Sequence, residues 1–250
     1  MKIAVISDIH GNLEALDSVL CDIEKEGCEK IFCLGDIAMA GPEPSKTVKK
    51  IKSLQQELDF TIIQGNTDEK LANFSQEFYD ALSSANSTMA NAYMADLEEL
   101  SEEDKSFLAS LDKNKEINIS GIKILLVHGS PRRNDENIFP DLPIEKVEEM
   151  IGDVDSNLIF CGHTHMPCGY QTNTNQTIVN VGSVGRPFSE KPLSCYVVLE
   201  IDESNACYTL EHKFVPYDYV SAANKLKNRN FDGADKLAKM LEKATSRYPE

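Results

Sequence analysis

The spacing of apolar residues changes period along the chain. Residues 2–7 form a short, nearly continuous apolar run. Over 12–26, Leu13, Leu16, Leu20 and Ile23 recur at the three- and four-residue intervals of one helix face, and Gly27 follows as a stop. Residues 30–35 read as a second strand; Val48, Ile51, Leu54 and Leu58 mark a second helix; 60–64 reads as a third strand. Strand, helix, strand, helix, strand is the order of right-handed crossovers onto a parallel sheet. Runs such as 3–6 and 122–127 are apolar throughout, as suits strands covered on both faces.

Between 66 and 121 the pattern becomes helical, with Met89, Tyr93, Leu97 and Leu100 three or four apart and Ser101 capping a further helix. An insertion this long can cover a site as a lid or pack as ordinary core, and the pattern leaves both open. Strands return at 122–127 and 157–161 around a helix at about 143–151 that Gly152 closes. Runs at 177–181, 195–201 and 207–215 have no helix between them, which predicts an antiparallel portion and leaves room for a second sheet. From about 217 the chain is helical, with Ala234, Leu237, Leu241 and Ala244 on one face. The class predicted is α/β.

Charge narrows the function. The 250 residues carry 41 acidic and 25 basic side chains, a formal −16. A wrapper of nucleic-acid backbone needs a basic face, so a nuclease or binder of long DNA or RNA is disfavoured. No apolar run approaches the ~18 residues of a membrane span. The start leads straight from an apolar strand into polar residues without a small-residue cleavage site, so no signal peptide is expected. The seven cysteines form no Cys-x-x-Cys pair and read as reduced thiols of a cytoplasmic protein.

The candidate chemistry lies at the ends of the expected strands: Asp8-Ile9-His10, Gly35-Asp36, Gly65-Asn66, His128-Gly129 and Gly162-His163-Thr164-His165. These blocks use four of the five histidines. Ligands gather outside the carboxyl ends of strands in open α/β sheets, so the five can converge. Asp8 and His10, like His163 and His165, are two apart, and on extended backbone such a pair points one way. Each block alone is weak, since Gly-Asn is usually a turn and a lone histidine usually structural. Together they predict a site for two divalent ions. Histidine, aspartate and asparagine without thiolate favour a first-row metal, Mn²⁺ foremost, with Fe, Ni or Zn also suited. His212 carries no functional expectation.

With those residues in place, the chain resembles the calcineurin-like metallophosphoesterase superfamily, whose pattern is Asp-x-His, Gly-Asp, Gly-Asn, a histidine, and then Gly-His-x-His. Two longer strings, Ser7-Asp8-Ile9-His10-Gly11-Asn12-Leu13 and Val181-Gly182-Ser183-Val184-Gly185-Arg186-Pro187, are similar to its small bacterial and archaeal phosphodiesterase branch. The resemblance implies a four-layer α/β/β/α sandwich of two mixed sheets flanked by helices. It implies a domain over 1–215 with a lid-like helical insertion at about 67–116, and a helical extension over 216–250. It implies one ion held by Asp8, His10, Asp36 and His165 and another by Asp36, Asn66, His128 and His163, with Asp36 as the bridge. Asp36, Asn66 and His128 are then the catalytic candidates, and the reaction is hydrolysis of a phosphodiester, phosphoanhydride or phosphomonoester by a metal-bridging hydroxide.

Asn12 is either a phosphate contact or the cap of the first helix. Arg132 and Arg186 are candidate phosphate clamps, with Arg133 weighed rather as a solvated surface arginine. One departure bears on substrate. Many relatives carry histidine directly after Gly-Asn, where it assists the leaving oxygen; here Thr67 and Asp68 follow. Good leaving groups suffer less from that loss, which turns the expectation toward phosphodiesters and phosphoanhydrides. Asp68 is either an orienting partner of a ligand histidine or simply an acidic residue at a helix start. The partner expected is a small phosphoester, a dinucleotide polyphosphate or a phosphoprotein, with no membrane; a homo-oligomer through apolar helix faces stays open. A non-catalytic protein-binding scaffold is the alternative of a different class, which intact ligand blocks oppose. The charge balance predicts that the protein is not retained with DNA or RNA in a filter-binding assay at low salt; retention would reopen the nuclease reading.

Overall fold

The computed structural model describes residues 1–246, and the last residues of the extension expected at 216–250 lie outside them. The chain runs β1 (Lys2–Ile6), α1 (Leu13–Glu26), β2 (Lys30–Cys33), α2 (Pro44–Glu57) and β3 (Phe60–Ile62). Four helices follow: α3 (Asn66–Ala72), α4 (Gln76–Ala85), α5 (Ser87–Glu99) and α6 (Glu102–Ala109). Then come β4 (Asn114–Ile119), β5 (Ile122–Val127), α7 (Ile144–Ile151), β6 (Leu158–Cys161), β7 (Cys168–Gln171) and β8 (Thr177–Asn180). The chain closes with β9 (Leu193–Asp202), β10 (Cys207–Pro216), α8 (Tyr219–Lys227) and α9 (Ala234–Glu242).

Two five-stranded mixed sheets result, ordered β10-β9-β1-β2-β3 and β4-β5-β6-β8-β7. β1, β2 and β3 are parallel, as are β5, β6 and β8. Side-chain alternation builds the layers. On β1, Ile3 and Val5 face the second sheet with Phe32, Leu126, Leu158 and Phe160, while Ala4 and Ile6 face the helices. On the outer face of the second sheet, Leu125, Val127, Ile159 and Ile178 meet Val147, Met150 and Ile151 of α7. The stack is helix, sheet, sheet, helix, as the resemblance implied.

Local signals act where the sequence places them. Asn12 Oδ1 accepts from Ala15 N at the start of α1, and Gly27 at φ 70° ends it. Ser101 and Asp104 form a capping box on α6. Leu58 differs from expectation: α2 ends at Glu57, and Leu58 lies extended and 48% exposed. The late strands differ too. β8 joins β6 in parallel and β7 in antiparallel register, while β9 and β10 form an antiparallel hairpin attached to β1 in the first sheet. β4 and β7 had no apolar run to announce them: they are sheet edges, and β4 reads Asn-Lys-Glu-Ile-Asn-Ile with most of its residues exposed.

The insertion is divided in its packing. Ala92 and Tyr93 of α5 and Leu108 of α6 are buried in the same core as α1 and α2, whereas α4 has no buried residue. α8 and α9 bury Ala222, Ala223, Leu226, Leu237, Ala238 and Leu241 in that core as well. All seven cysteines are free thiols; Cys33 and Cys161 are fully buried, and burial raises both far above the ordinary thiol range. Among the described residues no helix is long and apolar enough to cross a membrane. Phe160, fully buried between the sheets, is the test of this layer. Phe160→Ala should lower stability by about 3–5 kcal/mol in urea unfolding; a loss near zero would mean the sheets are not packed through it.

Candidate metal centre

β1, β2, β5 and β6 all end toward one point, and the loops leaving them are tied to each other. Asp8 N donates to Gly35 O at 3.0 Å, His10 N to Asp36 O at 2.9 Å and Gly162 N to His128 O at 2.8 Å. Asp8, His10, Asp36 and His128 are buried, as is His165; Asn66 and His163 are half-buried, so the opening lies on their side.

Five of these residues have left-handed backbone: Asp8 (φ 55°), His10 (49°), Asp36 (54°), His163 (67°) and His165 (61°). This corrects the sequence argument from extended i, i+2 pairs. β1 stops at Ile6 and β6 at Cys161, and each pair converges through turns. Left-handed φ on a residue with a Cβ costs about 1–3 kcal/mol and persists where surroundings enforce it. Two glycines make room: a Cβ on Gly65 would sit 2.1 Å from Asp36 Oδ1, and one on Gly162 2.5 Å from Asp8 Oδ2.

Three of the four imidazoles are oriented from behind. His10 Nδ1 donates to Met39 O at 2.8 Å, His128 Nδ1 to Leu34 O at 2.8 Å and His165 Nδ1 to Arg186 O at 2.7 Å. A neutral ring so bound turns a bare Nε2 lone pair forward. The two carboxylates are likewise anchored by one oxygen. Asp8 Oδ2 accepts from His163 N at 2.9 Å and Asp36 Oδ1 from Thr67 N at 2.9 Å. The other oxygens face the rings: Asp8 Oδ1 is 3.2 Å from His165 Nε2 and 3.7 Å from His10 Nε2, and Asp36 Oδ2 is 3.4 Å from His128 Nε2 and 3.7 Å from His10 Nε2. Asn66 Oδ1 lies 3.0 Å from His128 Nε2 and 2.9 Å from His163 Nδ1.

This donor set fits metal. His10 Nε2 and His165 Nε2 face each other at 3.0 Å, an arrangement two neutral rings cannot satisfy by themselves. Asp8 Oδ1 is buried with no hydrogen-bond partner. Donor atoms of Asp8, His10 and His165, and of Asp8, Asp36 and His128, lie within 4.8 Å of one another. Asp8 is common to both groups, and Asp36 Oδ2 stands between His10 and His128. Burial by itself would raise both carboxylates and lower His128. The mutual charges prevail, holding Asp8 and Asp36 well below the usual carboxylate range and pushing His128 up to about 10. Burial lowers His163 and His165.

Against this geometry, a family model described as the calcineurin-like phosphoesterase superfamily domain matches residues 1–204. The chain belongs to that superfamily. It is 34% identical over 244 residues to the uncharacterized protein MJ0912 of Methanocaldococcus jannaschii, covering 91% of this chain and 93% of that one. Two solved structures share its fold. A metallophosphoesterase from Sphaerobacter thermophilus superposes with TM-score 0.78 at 24% identity, over 98% of this chain and 99% of the other. The hypothetical protein PH1004 of Pyrococcus horikoshii OT3 gives 0.85 at 22%, over 98% and 99%.

The remaining candidates have other partners. Asn12 is fully buried; beyond its capping bond, its Nδ2 donates to Gly185 O at 2.8 Å, so both ends of the amide serve the scaffold. Arg132 is engaged by Glu136 at 2.7 Å and by Glu149 at 3.4 Å, and Arg133 by Asp135 at 2.9 Å. Arg186 presents its carbonyl to His165, and its guanidinium lies 5.9 Å from the Phe188 ring. His212 donates from Nε2 to Asn180 O at 2.8 Å.

Asp68 holds backbone, not a histidine. Its Oδ2 accepts from Asp36 N at 2.7 Å and Gly65 N at 3.0 Å, and its Oδ1 from Ile37 N at 2.9 Å. The carbonyls of Leu34, Met39 and Arg186 could not be singled out from the sequence, because any residue type offers a carbonyl. Asp68→Ala would leave three buried N–H groups unpaired, at about 1–3 kcal/mol each. The variant should unfold at clearly lower urea and retain less metal by elemental analysis. Unchanged stability and metal content would remove Asp68 from the support of the site.

Proposed function

We propose that the protein is a phosphoesterase that uses two divalent ions, with a small phosphodiester or phosphoanhydride as its substrate class. The observation that carries this reading is the set of forward-facing lone pairs and carboxylate oxygens, with Asp8 Oδ1 buried and unpartnered among them. Asp8, His10, Asp36 and His165 would hold one ion, and Asp36, Asn66, His128 and His163 the other. Manganese is the first choice for such a nitrogen and oxygen set. Bound there, the ions would neutralise phosphoryl charge and acidify water.

The chain's own residues supply the rest. Carbonyls behind His10, His128 and His165 fix the ring orientations, so that little reorganisation accompanies binding. Thr67 N and His163 N fix the carboxylates. Substrate would enter from the half-buried side of Asn66 and His163. Beside His128, a cleft of about 290 Å³ is lined by Lys113, Arg132, Arg133, Asn134 and Asp135, its basic side chains outnumbering the acidic one.

The residue after Asn66 supports the choice of substrate class. Thr67 brings no imidazole, and its Oγ1 is buried without a partner. No ionisable side chain at that position stands ready to protonate a poor leaving oxygen, which favours aryl-oxide and phosphoryl leaving groups over alkoxides.

The test is hydrolysis of bis(p-nitrophenyl) phosphate by metal-stripped protein with manganese restored. Activity should depend on the ion, and Asp36→Asn or His128→Ala should reduce kcat by about 10²-fold or more. Failure of the wild type to cleave any aryl phosphoester with manganese, iron, nickel or zinc would defeat the proposal.

A further inference from the structure

The ring of His10 depends on a loop that two distant parts of the chain hold in place. His10 Nδ1 donates to Met39 O. The next residue, Ala40, is in the left-handed region at φ 63°. A Cβ on the residue after it, Gly41, would meet His10 O at 1.5 Å, so this loop lies directly on the His10 backbone. A left-handed alanine does not hold itself; that conformation costs about 1–2 kcal/mol.

What holds it comes from the helical insertion and the C-terminal extension. Asp96, fully buried on α5, accepts from Ala40 N through Oδ2 at 2.7 Å. Arg229, just beyond α8, donates from Nη1 to Gly41 O at 2.8 Å and to Asp96 Oδ1 at 2.5 Å. Its Nη2 donates to Glu99 at 3.1 Å, and its side chain is 9% exposed. The amide of Ala40 and the carbonyl of Gly41 are thus each fastened to one member of a buried ion pair. Both residues lie outside the five strand-end blocks, and Arg229 lies beyond residues 1–204 that match the family.

We propose that Asp96 and Arg229 are positioning residues for metal binding, fixing the Met39–Gly41 loop and through it the direction in which His10 presents its free nitrogen. This rests on the reading of His10 as a ligand. The guanidinium fork reaches Gly41, Asp96 and Glu99 together, which a point-like ammonium cannot do. Burial pushes Asp96 up to about 6 even with Arg229 beside it, so loss of the arginine drives this buried acid toward its neutral form, a weaker acceptor for Ala40 N. Misorienting a ligand by removing its outer support typically weakens metal binding about 10–100-fold.

The experiment is manganese titration of the full chain by calorimetry, with electron paramagnetic resonance to separate coupled pairs of ions from isolated ones. His163→Ala marks which step belongs to the opposite ion. Arg229→Met should weaken the step associated with His10 by about 10–100-fold and leave the other within twofold, replacing the coupled spectrum with that of isolated ions at low loading. Arg229→Lys should recover most of the thermal stability and only part of the affinity. If Arg229→Met does not fold, Asp96→Asn with Arg229→Met, which removes both charges, carries the same expectation. Two unchanged steps in any folded variant, or equal weakening of both, would reduce the pair to general stability and overturn the proposal. A wild type that takes up no manganese would overturn the underlying metal reading too, and shows itself before any variant is made.

Discussion

Two ionised carboxylates, Asp8 and Asp36, stand out of water at the ends of neighbouring strands, and the surrounding structure answers to that constraint. A buried anion costs several kcal/mol unless charge and hydrogen bonds compensate. Each carboxylate spends one oxygen on a backbone N–H, of His163 or Thr67, and aims the other at imidazole nitrogens. The rings are steered by carbonyls that no helix or sheet ladder uses. Loops from both sheets are thereby bound into one unit, with the inter-sheet core of Phe32 and Phe160 beneath it.

The stored strain follows from the same constraint. Residues in left-handed turns aim side chains where strand alternation would not, and they recur at five ligand candidates. Backbone bonds such as Asp8 N to Gly35 O and His10 N to Asp36 O keep those turns from relaxing. The geometry is therefore set by the fold.

Much of this was legible in the chain. Apolar runs announced β1, β2, β5 and β6 because these strands are covered on both faces, and the helix periods of α1, α2 and α9 match the faces they bury. Two of the four edge strands were silent: β4 is mostly polar, and the residues of β7 are exposed or half-buried. The strand-end blocks named the residues that converge, but not how. Left-handed backbone at Asp8 and His10 leaves no mark in residue type, since neither is glycine. Asp68 looked like a helix-start acid and is one, yet its decisive bonds run to Asp36 and Ile37, more than thirty residues back in sequence. The placement of Asn12 shows the opposite case, where the capping role read from sequence accounts for the Oδ1 of its amide.

Cys33 and Cys161 lie on the strands that feed the Asp36 turn and the His163–His165 turn, yet neither shows any surface to solvent. Desolvation and the nearby carboxylates both oppose ionisation, which keeps these sulfurs as thiols near neutral pH. A protonated thiol is a poor nucleophile toward peroxide and a poor catcher of soft ions such as copper. In the interior beside the centre, sulfur thus counts as volume alone, and exposure to oxidants has no foothold there from which to change the donors from nitrogen and oxygen.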